Sequence, residues 1–496
     1  MISIRSARNA GVPLLAIETA DPQQTILNVT KDLNGKLDEI PVVQWDFVRA
    51  FSAINDKGGR ALALFAGNEP QMVTNPTEAL SVLAKAPAKT IAFFHNAHRF
   101  WSQEAVMQGI WNLRDEYKAS QCTLIMLCPL AQLPDELRND VIVLTETLPT
   151  TEEVDEIAKS MLEAANKSLE KTGKKIEAEL PRVRETLLGL SAFCAEQVLA
   201  MSISAKGVDM DSLWERKRKM IEQTPGLSVW RGGETFDDVG GYGNAKSFMR
   251  RLCKGNAPPS AILYIDEIDK GFAAVGSDSS GTSQDQHAVM LKWMQDSKNV
   301  IGAMFVGPPG SGKSLIAKAT GNDAGIPTIA FDLGAMKGSL VGQSEQRIRA
   351  ALQVVDAVAQ GNVLVIATCN QIAVLPPELK RRFSFGTFFF PLPDKETRAE
   401  IWKLYTKKFQ ITPQKGPADD GWTGAEIRNC CLIAWKLGCS LVEAAGYVVP
   451  VSVAAAAQIE KLCTEAHRRY INADRSGIYE YEKLAKTTGR KMEMTQ

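Results

Sequence analysis

Short apolar, β-rich runs alternate along this chain with longer amphipathic stretches, the pattern of parallel α/β sheets. In the first third the predicted strands are VPLLAIETA (12–20), VVQWDF (42–47), TIAFFHNAH (90–98), CTLIMLCP (122–129) and DVIVLTETLP (140–149). From 151 to 222 apolar residues recur every three to four positions, as in TEEVDEIAKSMLEAANKSLEK, and predict helices. The polar, Gly-containing stretch TPGLSVWRGGETFDDVGG (224–241) predicts a domain boundary. Five further strands are predicted beyond it: AILYIDEID (261–269), VIGAMFVG (300–307), IPTIAFDL (326–333), NVLVIATCN (362–370) and GTFFFPLPD (386–394). A helical tail is expected from 395, interrupted by TPQKGPADDGWTG (412–424). The polar end, DRSGIYEYEKLAKTTGRKMEMTQ, is expected to be loosely held.

The second set of runs carries chemistry. GPPGSGKS (307–314) follows the apolar run IGAMFV and precedes LIAKATGNDAG, a predicted helix ended by glycine. Glycines let successive backbone N–H groups turn onto phosphate oxygens without a Cβ clash, and the helix N-terminus adds its positive end. That context predicts a triphosphate site, with Lys313 reaching the β- and γ-phosphates and the Ser314 hydroxyl on Mg2+. ILYIDEID delivers Asp266 and Glu267 to the carboxyl edge of the sheet, where ligands bind in this architecture. Asp266 is expected to hold Mg2+ through water, and Glu267 to orient and deprotonate the attacking water. IATCN ends a strand on Asn370, suited to the γ-phosphate or that water. LPPELKRRF sets Arg381 and Arg382 beyond it, where a contact to a neighbouring subunit's nucleotide is expected.

Together these residues resemble a known family. Residues 235–450 look like an ATPase module of the AAA group within the AAA+ proteins. FDDVGG (236–241) resembles the stretch that opens such modules, GPPGSGKS Walker A, ILYIDEIDK Walker B, and IATCN sensor 1. LPPELKRRF resembles the arginine-finger region, and GWTGAEIRNCCLIA (421–434) the sensor-2 helix of the helical lid. The resemblance implies ATP and Mg2+ as cofactors, and hydrolysis between subunits of a homo-oligomeric ring, usually a hexamer, that remodels a macromolecule. It implies a nucleotide-binding set of Gly307, Pro308, Pro309, Gly310, Ser311, Gly312, Lys313, Ser314 and Leu315, with Gly241, Gly424 and Ala425. Catalysis would fall to Glu267, Asn370, Arg381 and Arg382, and the metal to Ser314 and Asp266. The whole chain is similar to cyanobacterial and plastid-type tandem AAA proteins with a degenerate first ATPase domain, a subfamily whose substrate is poorly defined. Two departures stand out. KGSLVGQSE (337–345) offers Leu340 where many translocating relatives carry an aromatic pore loop. Lys380-Arg381-Arg382 is compressed relative to R-x-x-R, so either arginine fits the finger. No HExxH follows, which excludes a fused zinc protease.

The motif order is unusual. In the family's chain order the P-loop strand comes first and the sheet runs 5-1-4-3-2; here the Walker B unit (257–298) precedes the P-loop strand. With strands about 4.8 Å apart and about 3.3–3.6 Å of chain per residue, each rewired connection needs about one to three residues. KGNAPPS (254–260) supplies seven, and Gly361 in VAQGNVLV can end a helix at the tightest join. One site assembled from a reordered chain is therefore expected, since catalysis depends on spatial convergence rather than order.

The first third reads as an earlier copy of the same theme. LIMLCPLAQLPDELR (124–138) parallels LVIATCNQIAVLPPELKR (364–381), and IAFFHNAHRFW (91–101) takes the place of ILYIDEIDKGF (262–272). No P-loop lies in residues 1–100, and His95 and Asn96 stand where the acidic pair would be, so this copy is expected not to hydrolyse ATP. The predicted fold is α/β: a parallel-sheet P-loop NTPase (AAA+) module with a C-terminal helical lid, preceded by a degenerate copy. The expected domains are an AAA-like α/β domain (1–150), its helical lid (151–223), a linker (224–241), the rearranged ATPase core (242–394), a helical lid (395–475) and a polar tail (476–496).

Composition narrows the function classes. Of 496 residues 45% are apolar and 23% charged, the balance of a soluble globular protein, and the formal net charge of zero argues against a nucleic-acid partner. Nine cysteines without a CxxC pair predict no zinc site or disulfide framework. No apolar run reaches bilayer length, and a cytoplasmic protein is expected. The leading reading is a remodeller acting on an unidentified protein, the second an ATP-gated binding module with slow turnover; a third, a DNA-handling ATPase, lacks a basic domain or recognition motif.

Overall fold

A computed structural model describes residues 4–33, 39–66, 72–146, 148–169, 176, 179–204, 207–273, 282–297, 299–336 and 343–481. The chain divides into two compact units, Met1–Ser168 with Ser191–Ala200, and Leu169–Leu190 with Met201–Gln496.

The first unit is built on strands β1 (Leu14–Glu18), β2 (Val42–Asp46), β3 (Ala50–Ala53), β4 (Ile91–His95), β5 (Thr123–Cys128) and β6 (Ile142–Thr145). They form one sheet in the order β3-β2-β4-β5-β1-β6, parallel except for the hairpin pair β2 and β3. Alternate side chains feed opposite faces, as a two-residue period requires. Leu14, Ala16, Phe94 and Met126 enter one core, and Leu15, Ile17, Phe93 and Leu127 the other.

The second unit includes a small hairpin, β7 (Ile203–Ser204) and β8 (Gly207–Val208). Its sheet comprises β9 (Leu227–Val229), β10 (Ala261–Ile265), β11 (Asn299–Val306), β12 (Thr328–Phe331), β13 (Asn362–Cys369), β14 (Thr387–Phe389) and β15 (Ile471–Asn472). The spatial order is β15-β14-β11-β13-β10-β12-β9. Read from β14 to β12, this is the 5-1-4-3-2 arrangement expected for the module, although β10 precedes β11 in the chain. Both faces of the central strands are covered, so β10 and the last seven residues of β13 are buried throughout and read as continuous apolar runs.

The joins that the reordering demands are closed by hydrogen bonds. Ser260 N–H donates to the Asn362 carbonyl (3.0 Å), and the Asn362 side chain donates back to the Pro258 carbonyl (2.5 Å), pinning the incoming segment beside β13. The helix Gln343–Ala359 ends on two left-handed residues, Gln360 (φ 52°) and Gly361 (φ 73°), and Gly361 N–H returns to the Asp356 carbonyl at 2.8 Å. A two-residue turn thereby re-aims the chain into β13.

Several boundaries differ from expectation. The stretch 224–241, expected as a linker, contributes β9, which pairs antiparallel with β12. Residues 151–223, expected as one lid, are divided: Thr151–Leu169 begins and Ala192–Ala200 lies in the first unit, whereas Leu180–Leu187 and Met210–Glu222 belong to the second. Packing explains the division. A Cβ on Gly189 would come within 2.7 Å of the Val358 backbone, and the buried Lys217 ammonium donates to the Glu185 carbonyl at 3.4 Å. Phe193 N–H, by contrast, donates to the Asp21 carboxylate in the first unit. The supposed loose tail is anchored as far as it is described: Ile478 bridges Ile471, and the Tyr479 ring lies 4.4 Å from that of Phe389. Strands of two to four residues such as β3, β9 and β15 carry too little periodicity to announce themselves. Among the described residues no helix is long and apolar enough to cross a membrane.

Candidate functional site

The P-loop lies between β11 and the helix Lys313–Ala324. Gly310 (φ 79°) and Gly312 (φ 88°) adopt the left-handed conformation that glycine enters without strain. A Cβ at Gly310 would meet the Thr423 hydroxyl at 2.8 Å, and one at Gly307 the Phe390 carbonyl at 2.5 Å, so the loop admits no larger residue there. Lys313 is buried; its ammonium donates to the carbonyls of Gly307 and Pro308, both at 2.8 Å. Burial pulls that ammonium down to about 8, against the opposing charges of Asp269, Asp266 and Glu267. A buried cation facing glycine-lined backbone fits a phosphate chain.

Across the sheet edge, the Ser314 hydroxyl donates to Asp266 Oδ1 at 2.9 Å, although 48 positions separate the two residues and the acid comes first. The reordered chain therefore brings the acidic pair to the P-loop. Thr368, fully buried at the end of β13, donates to the same Asp266 oxygen (2.6 Å) and accepts from Glu267 N–H (2.8 Å). Burial alone would raise the Asp266 carboxyl, but the hydroxyls of Thr368, Tyr264 and Ser314 and the charge of Lys318 hold it below its ordinary value. A carboxylate that stays ionised beside a serine hydroxyl is a hard-oxygen donor set suited to Mg2+.

Glu267 occupies a left-handed backbone (φ 46°), which an L-residue with a long side chain adopts at a cost. Its carboxylate accepts from Asn370 Nδ2 at 3.1 Å and pairs with Lys270. Asn370 is itself fixed from behind. Asp269, buried, accepts from the N–H groups of Asn370 and Gln371, each at 3.2 Å. Thr368 and Asp269 were absent from the expected site, yet they join the turn after β10 to the end of β13. Their sequence signals are slight: a threonine inside a buried apolar run, and the last acid of DEID.

The remaining expected residues are distributed as follows. Thr423 caps the helix Gly424–Leu437, and Ala425 N–H donates to the Gly310 carbonyl at 3.3 Å, so Gly424 and Ala425 abut the P-loop. Gly241 (φ 73°) packs on Thr397, where a Cβ would lie 2.4 Å from the methyl group. Pro308 and Ser311 are buried in the loop, Pro309 is exposed, and Leu315, in the first turn of the helix, is half-buried against the apolar cluster. The two arginines are not drawn into this group. Arg381 is exposed beyond the helix Pro377–Lys380, and Arg382 donates to Gln295 at 2.6 Å. Residues 337–342 of the expected pore loop, including Leu340, lie outside the described residues.

Comparison with known proteins agrees with this architecture. Residues 3–146 match the family model of the SpoVK-like AAA ATPase N-terminal domain, and residues 303–359 match that of the ATPase family associated with various cellular activities (AAA). The chain is similar to the uncharacterized AAA domain-containing protein ycf46 of Trieres chinensis, 23% identical over 482 residues and 86% of each chain. The ycf46 protein of Gracilaria tenuistipitata var. liui is 25% identical over 418 residues, 73% of this chain and 77% of its own. The proteasome-activating nucleotidase of Saccharolobus solfataricus is 27% identical over 182 residues, 27% of this chain and 46% of its own.

Proposed function

For a chain that carries AAA ATPase domains, an AAA-like one followed by an AAA one, we propose that the second sheet binds ATP with Mg2+ and hydrolyses it to drive remodelling of a protein by a homo-oligomeric ring. The contact between Ser314 and Asp266 carries this reading, because it joins the phosphate loop to the acidic pair in spite of their reversed order. Lys313, the loop N–H groups and the N-terminus of its helix would hold the triphosphate. Ser314 and Asp266 would hold Mg2+, which supplies charge neutralisation at the phosphates. Glu267 would orient and deprotonate water, with Asn370 fixing it. Arg381 and Arg382, standing away from this group, are suited to act on a neighbouring subunit's nucleotide. Similarity to a nucleotidase that activates the proteasome supports a protein as the load.

Mg-dependent ATP turnover tests the reading. Glu267→Gln is expected to bind ATP while turnover falls by about 10²–10⁴, the usual share of a general base. An inactive parent chain would overturn it. The ion pair of Glu267 with Lys270 favours a second reading, an ATP-gated binding module with slow turnover. Release of bound partners by a non-hydrolysable analogue as well as by ATP would select that one.

A further inference from the structure

One buried polar atom at this site acts on the Asp266 carboxyl from nearby and yet has no hydrogen-bond partner of its own at full geometry. Tyr264 lies two residues before Asp266 on β10, on the same side of the strand, and pairs across the sheet with Ala330 and Ile366. Only 2% of the residue is exposed. It belongs to the same apolar cluster as Ile316 and Ala317 of the P-loop helix, while its hydroxyl lies beside groups at the carboxyl edge. There the hydroxyl meets no partner at full hydrogen-bonding geometry. Asp266, Ser314 and Thr368 nevertheless all lie around it. Leaving a buried hydroxyl unpaired costs stability, whereas phenylalanine would fill the same space at no such cost. Lys318 is no alternative partner, because its ammonium sits over the rings of Trp230 (4.2 Å) and Tyr264 (5.4 Å) rather than beside the hydroxyl.

Both hydrogen bonds to Asp266 described above land on Oδ1, from Ser314 and Thr368. Mg2+ sheds water reluctantly and keeps several waters when bound by one carboxylate and a hydroxyl. Those waters need partners on the protein side. We propose that Tyr264 is a positioning residue for the divalent cation, its hydroxyl hydrogen-bonding a water that the cation carries between Asp266 and Ser314. This role rests on the reading of Ser314 and Asp266 as the metal-holding pair. It makes Tyr264 an outer partner, and loss of such partners typically weakens metal affinity about 10–100-fold.

The test is binding of a fluorescent ADP analogue to the full chain, parent and Tyr264→Phe, in EDTA and across a Mg2+ titration. Tyr264→Phe keeps the ring in its apolar cluster. Expected are equal affinities in EDTA and a rise of about tenfold in the Mg2+ concentration giving half-maximal enhancement. Equal Mg2+ dependence in the two proteins, or equal weakening of Tyr264→Phe with and without Mg2+, overturns the role of Tyr264 while leaving the site intact. A parent whose nucleotide affinity ignores Mg2+ overturns the metal-holding pair and the role of Tyr264 with it.

Discussion

The two sheets of this molecule have the same order in space and different contents at their carboxyl edges. Leaving aside edge additions, β6-β1-β5-β4-β2 in the first unit matches β14-β11-β13-β10-β12 in the second. Even a local backbone feature repeats: Asn96 after β4 has φ 54° and Glu267 after β10 has φ 46°. At the corner where the second sheet presents a glycine loop and a lysine, the first presents acids already bound to their own chain. Glu18 accepts from Ala131 N–H and the Thr145 hydroxyl. Glu146 accepts from the hydroxyls of Thr19 and Thr25 and from the Asn28 amide. Asp21 caps the helix Pro22–Asp32. Donors that a phosphate would use are thus engaged by carboxylates. The difference teaches that spatial strand order is fixed by packing, while the chemistry is set by a handful of loop residues and the chain order is fixed by neither.

That contrast can be broken most forcefully at Lys313. Calorimetry on the parent is expected to give one nucleotide per chain, and Lys313→Ala to lose at least about 100-fold in affinity, as removal of a buried charged partner of phosphate should. Residual stoichiometric binding in Lys313→Ala would mean that the first sheet also holds nucleotide. Next in size is Glu146→Ala, which takes the acceptor from the buried Thr19 hydroxyl, while Thr25 keeps the Asp21 carbonyl. Chemical denaturation of the first unit should register a loss of about 1–3 kcal/mol, with no nucleotide site gained. Smallest is the paired glycine substitution. Glu267→Gly should raise thermal stability by about 1 kcal/mol as it relieves the left-handed backbone, and abolish turnover. Asn96→Gly should change stability by a few tenths of a kcal/mol at most, since asparagine tolerates that conformation. Equal gains at the two positions would show that the kink after β10 is not a strain kept for chemistry.

Much of this was legible in the sequence for identifiable reasons. Strands β10, β11 and β13 are long, apolar and buried on both faces, so composition alone marks them. The glycine loop and acidic pair declare themselves by residue type, and loop lengths sufficed to predict that they would meet despite their order. What stayed hidden depends on tertiary contact. Leu227–Val229 is a strand only because β12 offers it an edge. Leu180–Leu187 joins the second unit because of the close approach at Gly189, which no helical periodicity encodes. Thr368 and Asp269 owe their importance to hydrogen bonds spanning 101–102 positions, beyond the reach of any local pattern.

The displaced position of β10 also has a bearing on synthesis. In the first unit β4 is translated after its neighbour β2, which already offers it an edge. In the second, Ile262 of β10 aligns with Thr328 and Leu364, both of which follow it in the chain. At about 5–20 residues per second, roughly 5–20 s separate the emergence of β10 from that of its second neighbour. Both edges of this wholly apolar strand stay bare until β12 emerges, and one stays bare until β13 does, a target for nascent-chain chaperones and, without them, for aggregation.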